Sequence, residues 1–366
     1  MAVQSSNPAQ TTSAPTRRQL GIATRIENIR SLASQWKALA VTSKSASTQY
    51  EWVDAAAQHF SHEGQLHVMF LHDGGRMLAA APLSRRTIGG VQCLTGLDGG
   101  ALGEPVDFLA ADPASLEELC VQVAGAGWPL WLERVVDQSP LVTTLRSLGQ
   151  RRRIGLEEGP ASAVARIDID GSWTDPESRL PPTWQADYVQ ARHAAELRGY
   201  SLFQITSPPT QTLSSMLQEL MELEYHGWRS QVGQALMQQR ELRDFVGRYA
   251  MGMCQRGKLR IGFYRIGAAT AAAVLAVQTQ DTLCVLRMAF DGALGDCSPE
   301  TLLMAETLRY AVAEKLKAVE FHEISAPWTD PWPKQYQACI SLKGYSRTLS
   351  GMVASAMMRL MPGRGK

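Results

Sequence analysis

Residues 283–324 read LCVLRMAFDGALGDCSPETLLMAETLRYAVAEKLKAVEFHEI. Val285, Leu286, Met288 and Phe290 form an apolar run that suits a buried strand. Gly292 and Gly295 break it, and Ser298-Pro299-Glu300 opens a helix. Serine is a preferred N-cap, proline is pre-set for the first helical position, and glutamate suits the positive end of the helix dipole. Leu302, Ala305, Leu308, Val312 and Leu316 continue one apolar helical face. Val319 and Phe321 mark a returning strand. Such a strand–loop–helix–strand presents backbone N–H groups at a helix start, where an anion can settle.

Working outward, the preceding residues predict helices over 213–225 and 241–255 and a hairpin of strands 259–264 and 271–277. The first half carries a similar order. Helices are expected around Ile29, Leu32, Trp36 and Leu39 and over 50–60. The turn His72-Asp73-Gly74-Gly75 between two apolar runs predicts a hairpin. Strands near 91–94 and 106–109, a helix over 116–124 and a strand over 129–135 complete it. The shared order, helix–helix–hairpin–strand–helix–strand, points to duplication of one α/β unit. Between the halves, residues 155–182 read as a linker with one strand signal at 164–169, followed by a polar helix over 184–200.

The totals set bounds. At 366 residues the chain suits two ordinary domains, and 45% hydrophobic residues supply an ample core. A net charge of +1 gives no global field toward nucleic acid or acidic lipid. Six scattered cysteines and seven scattered histidines show no metal-ligand spacing, so no metal is expected and a reducing cytoplasm fits. No apolar run reaches membrane-spanning length. Residues 1–21, rich in Ser, Thr, Pro and Gln, read as a disordered tail, and 348–366 as a basic C-terminal tail.

Two motifs add a resemblance. Glu224-Tyr225-His226-Gly227-Trp228-Arg229-Ser230-Gln231-Val232-Gly233-Gln234-Ala235-Leu236 resembles the E-x-S-G-W-K-G-x-x-G-T-A-L motif of the CelD-type (Fem-like) GNAT acetyltransferases. Phe290-Asp291 followed by Ser298-Pro299 and Leu302-Leu303 is similar to that family's F-D…S-P-G-x-L-L. His226, Arg229 and Glu300 depart from the family's Ser, Lys and Gly. The family's closing motif is represented by 328–336. The resemblance implies an α/β (α+β) fold of duplicated GNAT-like units, each a mixed twisted sheet flanked by helices. Residues 22–155 would be a degenerate N-terminal unit, 156–200 a linker and connecting helix, and 201–347 the acyl-CoA-binding unit.

On this reading the protein is an N-acyltransferase moving an acyl group from acyl-CoA to an amine, without a metal. The family's association with exopolysaccharide and envelope biosynthesis implies a glycan or lipid-linked amine acceptor. Met288, Phe290, Gly292, Gly295, Ser298 and Thr301 would bind the cosubstrate. Trp228 and Arg229 would bind the acceptor as a wall and an anion clamp. Glu224 is the first candidate general base, His322 with Glu323 the second, and Tyr336 a candidate acid for the leaving thiolate. Glu300 would weaken the phosphate contact. The alternatives are a Fem-like transferase using aminoacyl-tRNA and a GNAT scaffold without catalysis.

Overall fold

The computed structural model describes residues 18–60, 64–322 and 329–347. The first half runs β1 (Gln19–Ala23), α1 (Ile26–Ser31), α2 (Ala33–Leu39), α3 (Tyr50–His59), β2 (Val68–Asp73), β3 (Arg76–Ala81), β4 (Leu83–Ile88), β5 (Val91–Gly96), β6 (Leu109–Ala110), α4 (Pro113–Ala124), β7 (Leu130–Val136), α5 (Pro140–Gln150) and β8 (Ile154–Asp168). The second runs α6 (Pro182–Arg198), β9 (Ser201–Thr206), α7 (Thr210–His226), α8 (Trp228–Gln231), α9 (Arg240–Gln255), β10 (Leu259–Ile266), β11 (Ala269–Thr279), β12 (Thr282–Phe290), α10 (Pro299–Ala313), β13 (Ala318–Phe321) and β14 (Gln335–Ser346).

Local chemistry accounts for many boundaries. Gly74 and Gly75, both at positive φ, turn β2 into β3. Asp112 accepts from the Ser115 N–H at the start of α4, and Ser139 does the same for Val142 in α5, each with proline next in the chain.

The strands form a four-stranded sheet, β1-β2-β3-β6, and a ten-stranded sheet, β4-β5-β7-β14-β8-β13-β12-β11-β10-β9. The antiparallel series β1-β2-β3-β6 is repeated as β9-β10-β11-β12. Each series is followed by a helix, α4 or α10, and a strand, β7 or β13. The halves differ at the next step. β13 lies parallel to β12, whereas the hairpin β4–β5 intervenes in the first half and β7 lies parallel to β5.

The duplicated order expected from sequence is therefore present, with two departures. Gln19, Leu20 and Gly21, read as tail, belong to β1 and pair with His72, Leu71 and Phe70. The stretch read as a linker contributes β8, which pairs with both β13 and β14. The rest of the expected tails, residues 1–17 of 1–21 and all of 348–366, lies outside the described residues.

One face of the ten-stranded sheet carries α6 and α10 over the second half. The other packs on a core shared by both halves, in which Trp52 of α3 meets Phe245 and Tyr249 of α9 edge-on, each at 4.9 Å. No helix of the described residues is long and apolar enough to cross a membrane.

Candidate active site

The deciding feature is one extra residue in β12. Val285 pairs with Ala276 and Arg287 with Leu275, so Leu286 is a bulge. Without it, alternation would aim Arg287 into the apolar core under α10. With it, Leu286 and Arg287 both face α7. The parallel pairing of β12 with β13 stops at Val285 and Phe321, while β12 runs on to Phe290. Among the described residues, no strand pairs with 286–290 on that side. Among the described residues this leaves a notch in the pairing between the two strands.

One wall of the notch is a buried charge cluster. The Glu224 carboxylate, 1% exposed, lies 3.6 Å from the Nε atoms of both Arg229 and Arg287. Its Oε2 also accepts from the Leu236 N–H at 2.7 Å. The Arg229 guanidinium donates to the Met288 carbonyl at 2.7 Å and lies over the Trp228 ring. The expected acceptor clamp is thus a fully buried bolt between α7, α8 and β12. Gly227 permits this approach, since a Cβ there would sit 3.1 Å from the Phe290 carbonyl. Glu224 has the contacts of an anchored counter-charge, whereas a base needs an open path to its proton.

The other wall joins the halves. His322, 4% exposed at the end of β13, has Nδ1 against Glu104 and Nε2 3.3 Å from Glu320. Glu104 is held by the Ala46 and Ser47 N–H groups at 2.8 and 3.2 Å. Arg166 pairs with Glu320, and Arg134 donates to the His322 carbonyl at 2.7 Å. Gly103, at φ +70°, lets this loop close in, because a Cβ there would run into that carbonyl. Burial opposes charge on His322, but attraction and hydrogen bonding from Glu104, then Glu320, raise its pKa to about 10. Both carboxylates thus favour the imidazolium form, in which the ring has no free lone pair with which to act as the expected base.

The other predicted residues are placed as follows. Met288 is buried within β12 and Phe290 is half-buried at its end. Gly292 and Gly295 lie in a short 3₁₀ turn, Gly292–Cys297, that Asp291 caps through the Ala293 N–H. Ser298 adopts a left-handed conformation (φ 38°, ψ 58°) directly before α10. Ser298 and Thr301 line a cleft of about 180 Å³ with Trp184, Asp187, Gln190, Ala191 and Asp296. Burial raises the Glu300 pKa, opposed by a hydrogen bond from its own backbone N–H. A carboxylate therefore already occupies a donor at this helix start. Tyr336 is 62% exposed. Register places it beside Ala165 and Phe321, on the sheet face opposite Glu320 and His322. It does not join either cluster. Glu323 and Trp328 lie outside the described residues.

Sequence reasoning did not select Arg287, Glu104, Glu320 or Arg166. Arg287 alone had a local signal, a single cation inside an apolar strand, which demands a buried partner.

Comparisons with known proteins bear on the fold. Residues 188–329 match the family model described as an acetyltransferase (GNAT) domain. The solved structure of FemX is similar, with a TM-score of 0.59 at 9% identity, covering 88% of this chain and 98% of that one. Residues 188–329 thus match a GNAT domain, and the chain as a whole has a fold similar to that of FemX. The C-terminal domain of a putative lysylphosphatidylglycerol synthetase from Agrobacterium fabrum is also similar, with a TM-score of 0.55 at 13% identity, covering 92% of this chain and all of the other. A conserved protein of unknown function from Bacteroides thetaiotaomicron VPI-5482 gives 0.57 at 10%, covering 90% and 100%. No curated protein matches the sequence.

Proposed function

We propose that this protein transfers an acyl group to an amine in the notch between β12 and β13. The observation that carries the reading is the end of the β12–β13 pairing at Val285 and Phe321, past which, among the described residues, no strand pairs with that edge of β12 between the two buried charge clusters. An extended acyl donor adds its amide groups along that edge, as a further strand would. The neutral amine attacks the carbonyl carbon, the N–C bond forms, and the bond to the leaving sulfur or oxygen breaks. The amine proton passes to solvent or to the leaving group. Glu224 acts by position: it fixes Arg229 and Arg287, and Arg229 fixes the carbonyl of Met288. Trp228, half-buried beside them, would border the acceptor.

Acyl-CoA, bound near Gly292, Gly295, Ser298 and Thr301, is the first donor class, on the strength of the GNAT match. An aminoacyl-tRNA donor is favoured by one specific feature. The start of α10 carries Glu300 on its own N–H and has Asp187 nearby, while Asp296 is paired with Arg198, so a pyrophosphate would meet an occupied donor there. A lipid- or glycan-linked amine is the acceptor class the family resemblance supports, in the cytoplasm.

Thermal-shift and product assays with acetyl-CoA, longer acyl-CoA species and aminoacyl-tRNA test this. Stabilisation and turnover with one of these donors supports it. Glu300→Gly should tighten coenzyme A binding if that cosubstrate uses α10. Lack of turnover with every donor and amine tried would leave the scaffold reading instead.

A further inference from the structure

The cluster around His322 has a donor set that ion pairing does not fully use. Cys284 of β12 stands in register with Glu320 of β13, so both side chains leave the same face of the sheet. One ligand atom each from Cys284, Glu320 and His322 lie within 4.8 Å of one another, in a place where Cys284 is fully buried and His322 nearly so. The chain brings sulfur, nitrogen and oxygen donors to one point from two adjacent strands.

The spacing is informative. Nε2 of His322 lies 3.3 Å from Oε2 of Glu320. That contact is a long hydrogen bond, beyond the about 2.7–2.9 Å of a well-formed charge-assisted pair. Two ligands at zinc-bond length from one tetrahedral ion lie about 3.3 Å apart. The other ring nitrogen, Nδ1, is held by Glu104, whose second oxygen is pinned by two backbone N–H groups from residues 46 and 47. A metal-bound histidine characteristically has its remote N–H fixed by such a carboxylate, which sets the tautomer and aims the free nitrogen. Arg166 holds the second oxygen of Glu320 in the same manner.

We propose that Cys284, Glu320 and His322 bind a zinc ion, with Glu104 orienting the histidine from the first half of the chain. A mixed sulfur, nitrogen and carboxylate set suits this borderline-soft ion better than magnesium or calcium. On binding, the thiol proton and the Nε2 proton leave to solvent. The thiolate and the Glu320 carboxylate then neutralise the two positive charges of the ion, so its burial carries no net charge within the three ligands. Nothing in the sequence spacing announces the site. It exists only because β13 lies parallel to β12 and the loop at Gly103 reaches the end of β13.

The test uses the full chain. Protein purified without chelator should contain about one zinc per chain by elemental analysis. After chelator stripping, cobalt titration should give a near-ultraviolet sulfur-to-cobalt charge-transfer band that saturates at one equivalent. Cys284→Ser should abolish that band, and Glu104→Gln should weaken cobalt binding about 10- to 100-fold. A cooperative melt of Cys284→Ser in chelator, matching stripped wild type, shows that the variant folds. A wild type with neither zinc nor a cobalt band overturns the proposal. So does a band that survives in folded Cys284→Ser.

Discussion

At the scale of single residues, Glu224 and Asp107 make opposite predictions. Glu224 is the shared counter-charge of two buried arginines, so Glu224→Ala strands cations in a low-dielectric site. Breaking a buried pair by removing one partner typically costs about 3–5 kcal/mol. Chemical denaturation should show a loss of that order, against almost none for the exposed Glu222→Ala. A small loss in Glu224→Ala would mean that the cluster is wet. Asp107 is a different case. Burial pushes its carboxyl up to about 7, against a bond from the Phe108 N–H and helped by Glu104. The unfolded carboxyl releases its proton near the ordinary value of 3.8, so between about pH 4 and 7 the folded state holds the extra proton. This contribution to stability is present below about pH 4 and is lost as pH rises toward 7. Asp107→Asn should therefore melt with less pH dependence than wild type across that window. Parallel melting curves for the two proteins would refute the assignment.

At the scale of elements, what was legible depended on range. The hairpin at Asp73-Gly74-Gly75 and the opening of α10 at Ser298-Pro299 could be read because their chemistry is local. β8 could be read only at its end, from the signal at 164–169, since Gly155, Gly159 and Pro160 weaken the rest and its partners, β13 and β14, come from far along the chain. The same reason hid half of the site. Glu224 and Arg229 share a motif, whereas Glu104 and His322 meet only through tertiary structure. The bulge at Leu286 was silent because one extra apolar residue in an apolar run changes no pattern. Ser298 offers an element-level test. It holds a left-handed conformation that costs a residue with a Cβ about 1 kcal/mol. Ser298→Gly should raise the urea midpoint modestly, and a decrease would show that its hydroxyl contributes more than the strain removes.

At the scale of the whole molecule, the order of the ten strands decides how far the halves are independent. β14 comes last in the chain, yet it lies between β7 and β8 of the first half. β8 in turn pairs with β13 of the second half. Each half thus completes its sheet with a strand from the other, and the α3–α9 core adds an apolar seam. A boundary near residue 155 therefore divides the sequence at a place where the fold is continuous. A chain ending at Pro333 would lose β14 and leave β7 and β8 with facing unpaired edges, which invite association. The first half should suffer although every deleted residue lies in the second. Hydrogen exchange in the truncated chain should show faster exchange in β7 and β8 than in β10 and β11, which keep all their partners. If β7 and β8 stayed as protected as in the full chain, closure by β14 would not be what holds the first half together.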